Sequence, residues 1–216
     1  VNRLAQRGDV PLFLYGHAAV RKERVMLSHL RKEEYEGLES RLNGGETSHV
    51  DATRWPDAGT KEWSDVVART GGITVGARSI LVAYNVNINE EGATVAKKIG
   101  SIVRSSGRLL KSAGGGKIRS SGMLPKVQGM GVPVDELGIS QVSMNLLDVE
   151  VCPLHLAFKT CESLAADHET TLCGSEVVGL VPLKAMLDAG RFFNPVASTE
   201  LEMVKAAMEG LGLSLI

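Results

Sequence analysis

Four residues that could do chemistry crowd into the stretch RTGGITVGARSILVAYNVNI, residues 69–88: Gly71, Gly72, Gly76 and Arg78. Glycine lets a ligand approach the main chain closely, and exposed N–H groups there can hold an anion or a carbonyl. Arg78 could grip a carboxylate through two parallel hydrogen bonds. The spacing is not a dinucleotide fingerprint or a nucleoside-triphosphate loop, because a strand-like apolar run follows the glycines where those motifs need a helix. Two readings stay open. The glycines cradle a ligand, or they only let the chain bend into a strand.

Other candidates are scattered. In PKVQGMG (residues 125–131), strand alternation puts Lys126 and Gln128 on one side and Val127 on the other. A cation beside an amide suits a small molecule bearing anionic or amide groups, and it equally suits a solvated strand face. Asn145 becomes a ligand-facing candidate if Met144 and Leu146 face the opposite way. Glu176, between Gly174 and Gly179, is a base, a binding group or a polar strand end. His17 follows an apolar run in YGHAA, where loops often carry function, though a lone loop histidine is commonly just solvated.

The cysteines, Cys152, Cys161 and Cys173, are odd in number and form no C-x-x-C pair, so reduced thiols serving as core filler are expected. The histidines at 17, 29, 49, 155 and 168 include no pair four residues apart. That spacing excludes a helical pair of zinc ligands, and no metal is expected. No nucleophile elbow or supported Ser-His-Asp order is present, and no catalytic residue can be assigned.

These residues need elements to position them. VPLFLY (residues 10–15) reads as a buried strand, and apolar residues spaced by threes and fours predict a surface helix over 21–42. Residues 46–70 read as a long polar loop. A single strand is expected from Ile73 to Ile88, its end marked by the alternation of Asn85, Val86, Asn87 and Ile88. A helix follows around residues 92–103, and residues 105–122, rich in Gly, Ser and basic side chains, read as a flexible loop. Two strands come next, joined by Asp135–Gly138, and then helix, strand and two closing helices, with Ser198 or Thr199 as a cap. From Ile73 onward the order is β-α-β-β-α-β, the split unit of a ferredoxin-like domain, so the fold class is α+β.

Composition bounds the rest. The chain has 216 residues, 44% hydrophobic and 23% charged, with a net charge of −1. Such a balance fits a globular protein with one large domain or two small ones and no nucleic-acid partner. No apolar run approaches the roughly 20 residues that span a bilayer. The start, VNRLAQRGDV, has neither an apolar leader core nor an initiating Met, so a cytoplasmic protein whose first residue is a cut end is expected.

Five stretches in this order, VPLFLYGHAA, TGGITVGARSILVAYNVNI, MLPKVQGMGV, ISQVSMNLLD and GSEVVGLVPLKAML, resemble the glutamate formiminotransferase family. The resemblance runs from about Val10 to Leu213. It implies transfer of the formimino group of N-formimino-L-glutamate to N5 of tetrahydrofolate, in histidine breakdown, with release of glutamate. It further implies two subdomains, each a sheet backed by helices, facing one another across a folate-holding cleft, in an enzyme expected to be a homo-oligomer. Residues 1–89 match the latter part of the N-terminal subdomain, and residues 90–216 the C-terminal one. The family's folate-binding segment carries over to Gly71, Gly72, Ile73, Thr74, Val75, Gly76, Ala77, Arg78, Ser79 and Ile80.

The family's catalytic histidine lies upstream of the motif matched by VPLFLYGHAA, so this chain is expected to be incomplete for catalysis. His17 stands where the family commonly has glutamate and is not that histidine displaced. The basic segment with Arg104, Arg108, Lys111 and Lys117 is longer than the family pattern; it suits a polyglutamate tail or a solvated loop. The rival reading is a folate-binding or partner-binding homologue without transferase activity.

Overall fold

The computed structural model describes residue 3 and residues 9–43, 55–112 and 114–213. Two units divide the chain, Val1–Arg78 and Ser79–Ile216.

In the first unit, β1 (Leu12–Gly16) is followed by three short helices, α1 (Leu27–Leu30), α2 (Leu38–Leu42) and α3 (Asp65–Thr70), and then by β2 (Ile73–Ala77). β1 and β2 pair in parallel, with Phe13 opposite Thr74 and Tyr15 opposite Gly76. Phe13, Leu30, Leu38, Leu42 and Val67 form a small apolar core. The continuous helix expected over 21–42 is broken. Glu33 and Glu34 have positive φ, and the Arg41 guanidinium donates to the carbonyls of Leu30 (2.8 Å) and Lys32 (2.7 Å). Those acceptors would otherwise bond the next helical turn, so a buried cation replaces it.

The loop expected over 46–70 is also corrected: 46–54 lie outside the described residues, and 65–70 are helical. Ser64 caps α3 by accepting from the Val67 N–H (3.3 Å). The strand expected from Ile73 to Ile88 is two strands. β2 ends at Ala77 in the first unit, and β3 (Val82–Ile88) belongs to the second, where both its edges are hydrogen-bonded to other strands of that unit.

The second unit continues with α4 (Thr94–Val103), β4 (Arg108–Lys111), β5 (Lys117–Ser120), β6 (Val127–Val134), β7 (Ile139–Leu146), α5 (Leu154–Ala166), β8 (Leu172–Val178), α6 (Leu183–Phe193) and α7 (Glu200–Gly210). Four strands make one antiparallel sheet in the order β6-β7-β3-β8. β4 and β5 form a separate antiparallel hairpin where a flexible loop was expected, with Gly114–Gly116 in the turn between them.

One apolar core holds this unit together. Val82, Tyr84, Val86 and Ile88 of β3, Val142, Met144 and Leu146 of β7, and buried faces of α4, α5, α6 and α7 pack in a single cluster. The cluster leaves the helices on one side of the sheet, as the alternation along β3 requires. α4 lies close on β6 because Gly131 has no side chain; a Cβ there would fall 2.1 Å from the Ala96 carbonyl carbon. The start of α4 is satisfied by the Glu90 carboxylate, which accepts from the N–H of Val95 (2.9 Å) and of Ala96 (3.4 Å). α7 opens with a full capping box between Thr199 and Glu202. Among the described residues, no helix is long and apolar enough to cross a membrane.

Candidate functional site

The glycine-rich stretch is built from three different local requirements. Gly71 ends α3 with φ 70°, a backbone region that glycine enters without strain. Gly76 faces Tyr15 across the parallel pair, where a Cβ would meet the ring at 2.4 Å. Gly72 lies against Phe13, where a Cβ would sit 3.1 Å from the ring. The two aromatic rings and the two latter glycines therefore share one face of the β1–β2 pair.

That face borders a cavity of about 260 Å³ within the first unit, lined by Phe13, Leu30, Arg31, Glu34, Tyr35, Leu38, Arg41, Gly71, Gly72 and Thr74. Phe13, Leu30 and Leu38 are its apolar walls. Its polar groups are the Arg31–Glu34 pair (3.2 Å), the Tyr35 hydroxyl bonded to the Ala68 carbonyl, and the Arg41 guanidinium, 5.8 Å from the centre of the Phe13 ring. Of the ten residues carried over as folate-binding, Gly71, Gly72 and Thr74 line this cavity. Ile73 and Val75 point to the other side of β2 by alternation. Gly76, Ala77 and Arg78 are exposed, and Ser79 and Ile80 fall in the second unit. His17 is exposed, with its N–H donating to the Ala77 carbonyl (2.6 Å).

Ser79 and Ile80 line a separate cavity of about 230 Å³ within the second unit, with Asp148, Glu150, Pro182, Lys184 and Asp188 among its walls. Lys184 bridges Asp188 (2.9 Å) and Glu150 (3.6 Å). Its hydrogen bond to the Asp188 carboxylate holds the ammonium pKa above its ordinary value. This rim satisfies itself.

The polar face of the four-stranded sheet is different. The side of β3 opposite the core carries Ala83, Asn85 and Asn87. Pairing sets Asn85 between Ser143 and Glu176, Asn87 between Gln141 and Gly174, and Ala83 between Asn145 and Val178. Gln128 of β6 stands opposite Asn145. Gln128, Asn145 and Glu176, three candidates from separate stretches of sequence, thus come onto one surface. Met144 and Leu146 are buried on the core side, as the reading of Asn145 required. Lys126, with φ 56°, precedes β6 and is exposed, outside the alternation of that strand.

What the sequence did not reveal is the pair at the centre of this face, Asn87 and Gln141, both buried. Gln141 Nε2 donates to Asn87 Oδ1 (2.9 Å) and to Glu176 Oε1 (3.2 Å). Alternation of Asn85 with Asn87, and of Gln141, Ser143 and Asn145, was a visible signal. The partnership was not, because it depends on register.

Three further titratable groups of this unit, Tyr84, Cys152 and Cys161, are buried in its core. The Tyr84 hydroxyl donates to Ser175 Oγ (3.0 Å), which donates to the Leu211 carbonyl (2.6 Å). Burial raises the Tyr84 pKa, and it pushes the Cys152 thiol up to about 11 and the Cys161 thiol up to about 12. These thiols are core filler, whereas Cys173 is exposed. Among the described residues no group of three or more His, Cys, Asp or Glu could hold a metal ion.

Comparison with known proteins agrees with the division of the chain. A formiminotransferase domain model matches residues 83–216, and a model of its N-terminal subdomain matches residues 1–78. The formimidoyltransferase-cyclodeaminase of Mus musculus is 39% identical over 192 residues, covering 88% of this chain and 32% of the relative. The glutamate formimidoyltransferase of Streptococcus pyogenes serotype M1 is 34% identical, covering 88% of this chain and 56% of the relative. The formimidoyltransferase-cyclodeaminase of Dictyostelium discoideum is 36% identical over 217 residues, covering 98% of this chain and 37% of the relative. The chain therefore spans about a third to just over half of the length of these relatives.

Proposed function

From the premise that this chain belongs to the formiminotransferase family, as the match over residues 83–216 shows, we propose that it serves the transfer of a formimino group from N-formimino-L-glutamate to tetrahydrofolate in histidine degradation. Tetrahydrofolate is the co-substrate, and no metal takes part. The protein is placed in the cytoplasm and assembles with copies of itself.

The observation that carries this reading is the polar sheet face of the second unit. Asn85, Asn87, Gln141, Ser143 and Asn145 give it hydrogen-bonding groups without charge, and Glu176 adds one carboxylate. A flat pterin, with N–H and C=O groups along its edge, needs that kind of surface, because each unpaired polar group it buries costs free energy. The strand order β6-β7-β3-β8 with β-α-β-β-α-β connectivity supports reading the second unit as a ferredoxin-like domain, whose sheet keeps one face clear of helices. The first unit is assigned to the N-terminal subdomain and the second to the C-terminal subdomain, with the join near Arg78 and not after Asn89. Gly71, Gly72 and Thr74 beside the cavity of the first unit, with exposed Arg78, are a separate candidate for folate contacts.

The test is turnover together with binding. Purified protein is given N-formimino-L-glutamate and tetrahydrofolate, and formation of 5-formiminotetrahydrofolate is followed, alongside calorimetric titration with 5-formyltetrahydrofolate. Turnover supports the transferase reading. Binding without turnover fits both the rival, a folate-binding homologue, and a transferase part that needs the rest of its catalytic machinery; absence of binding sinks both. Arg78→Ala is expected to weaken folate binding by roughly tenfold, as loss of a charge-assisted pair does; unchanged affinity removes Arg78 from the site.

A further inference from the structure

The bonds at the centre of the polar sheet face fix each other's orientation. Ionised Glu176 can only accept hydrogen bonds, so the group that Gln141 turns toward it, 3.2 Å away, is the NH₂ of its amide. The same nitrogen, with its second hydrogen, reaches Asn87 at 2.9 Å, so Asn87 presents its carbonyl oxygen to Gln141. Both Nε2 hydrogens of Gln141 are then used. Among the described residues Glu176 Oε2, Gln141 Oε1 and Asn87 Nδ2 take no part in a hydrogen bond. Asn87 and Gln141 are buried on facing strands, and Glu176 lies half-buried next to them on the third. A carboxylate is thus tethered through one oxygen by a buried amide, on a face otherwise lined by Asn85, Ser143 and Asn145.

We infer that Glu176, held in place by Gln141, is the binding residue for a ligand edge with two adjacent N–H donors on an N–C–N unit. A carboxylate accepts such a fork through two nearly parallel bonds, as it does from guanidinium. The inference rests on the proposed function and narrows it, because two reactants of that reaction carry this edge. One is the pterin of the folate, through its ring N–H and 2-amino group. The other is the formamidine of N-formimino-L-glutamate, which protonates to a cation with an N–H on each nitrogen. The tether by Gln141 sets the plane of the carboxylate before the ligand arrives, so less freedom is lost on binding.

The experiment titrates the intact protein and its Glu176→Gln variant with 5-formyltetrahydrofolate and, separately, with N-formimino-L-glutamate. L-Glutamate, which lacks the formamidine, serves as control. Glu176→Gln keeps the shape and an oxygen for Gln141 to bond, but sets an NH₂ where the ligand brings its own donors. A loss of roughly 10- to 100-fold is expected for the ligand whose edge it reads. Loss confined to the folate identifies the pterin, and loss confined to formiminoglutamate, with glutamate unaffected, identifies the formamidine. Gln141→Met, which leaves the carboxylate but removes its tether, is expected to weaken the same ligand by a smaller factor, and unchanged melting temperatures exclude misfolding.

Native protein that binds either ligand while Glu176→Gln binds both as tightly overturns this inference and leaves the proposed function standing. Native protein that binds neither overturns the function, and this inference with it.

Discussion

The two units solve the same problem with different materials. The second buries a continuous apolar cluster drawn from three strands and four helices. Among its described residues, the first has five in its buried apolar cluster and relies on two buried guanidiniums. Arg24 donates to the Asp57 carboxylate and to the Trp55 carbonyl, and Asp57 also accepts from the Leu14 N–H at 2.7 Å. Arg41 holds the Leu30 and Lys32 carbonyls. A small unit with short helices cannot remove much apolar surface from water, so polar tethers must fix its loops. The price is fragility: an apolar core loses stability in proportion to what is cut away, whereas a buried ion pair fails when either half is lost.

The sharpest way to break that contrast is Asp57→Ala. It takes the Asp57 carboxylate away from the Arg24 guanidinium, 2% exposed, and from the Leu14 N–H. The expected loss is about 3–5 kcal/mol. Hydrogen exchange locates it: amides of β1, β2 and α3 should lose protection while those of β3 and β7 keep theirs. Equal loss in both units would show that the tether serves the whole chain and not the first unit.

The second unit should fail through packing instead. Gly131→Ala forces a methyl into the backbone of α4 at Ala96. Helix and strand must separate, at a cost of about 1–3 kcal/mol. Urea unfolding measures it, with exchange protection falling in α4, β6 and β7 first. A neutral result would mean that α4 slides freely on the sheet.

The same contrast explains what could be read from sequence. In the second unit the elements follow local rules. Alternation marks β3, β6 and β7, threefold and fourfold spacing marks α4 and α5, and Thr199 caps α7 as its sequence signals. The glycines at 114–116 made 105–122 look like loop, although they occupy only the turn of the hairpin. In the first unit the spacing over 21–42 was helical, and a tertiary bond from Arg41 to the carbonyls of Leu30 and Lys32 overrode it. No local pattern announces such a bond. The candidate site divides in the same way. Gln128, Asn145 and Glu176 were legible one at a time as polar residues in strands. Their convergence with Asn87 and Gln141 depends on which strand lies beside which, with β3 in the middle of the sheet.

The smallest expected effect separates the units by pH. His155, on α5, stacks on Phe192 of α6, with ring centres 4.5 Å apart and planes 14° from parallel. Its Nδ1 is buried, with no hydrogen-bond partner among the described residues. Burial lowers its pKa below the ordinary 6.5, and the nearby Asp188 carboxylate only partly opposes that. The folded second unit therefore favours the neutral ring. Above pH 6.5 the imidazole is neutral in both states, and its environment adds full stability. As the pH falls below 6.5 the unfolded chain takes up the proton first, so stability declines until the folded imidazole is protonated too. Urea midpoints should fall between pH 7.5 and pH 5.5, and His155→Leu should flatten part of that slope by removing the group that titrates. Exchange should show the pH-dependent loss in α5 and α6. A slope unchanged by His155→Leu would assign the pH dependence to other groups and remove this histidine from the contrast between the units.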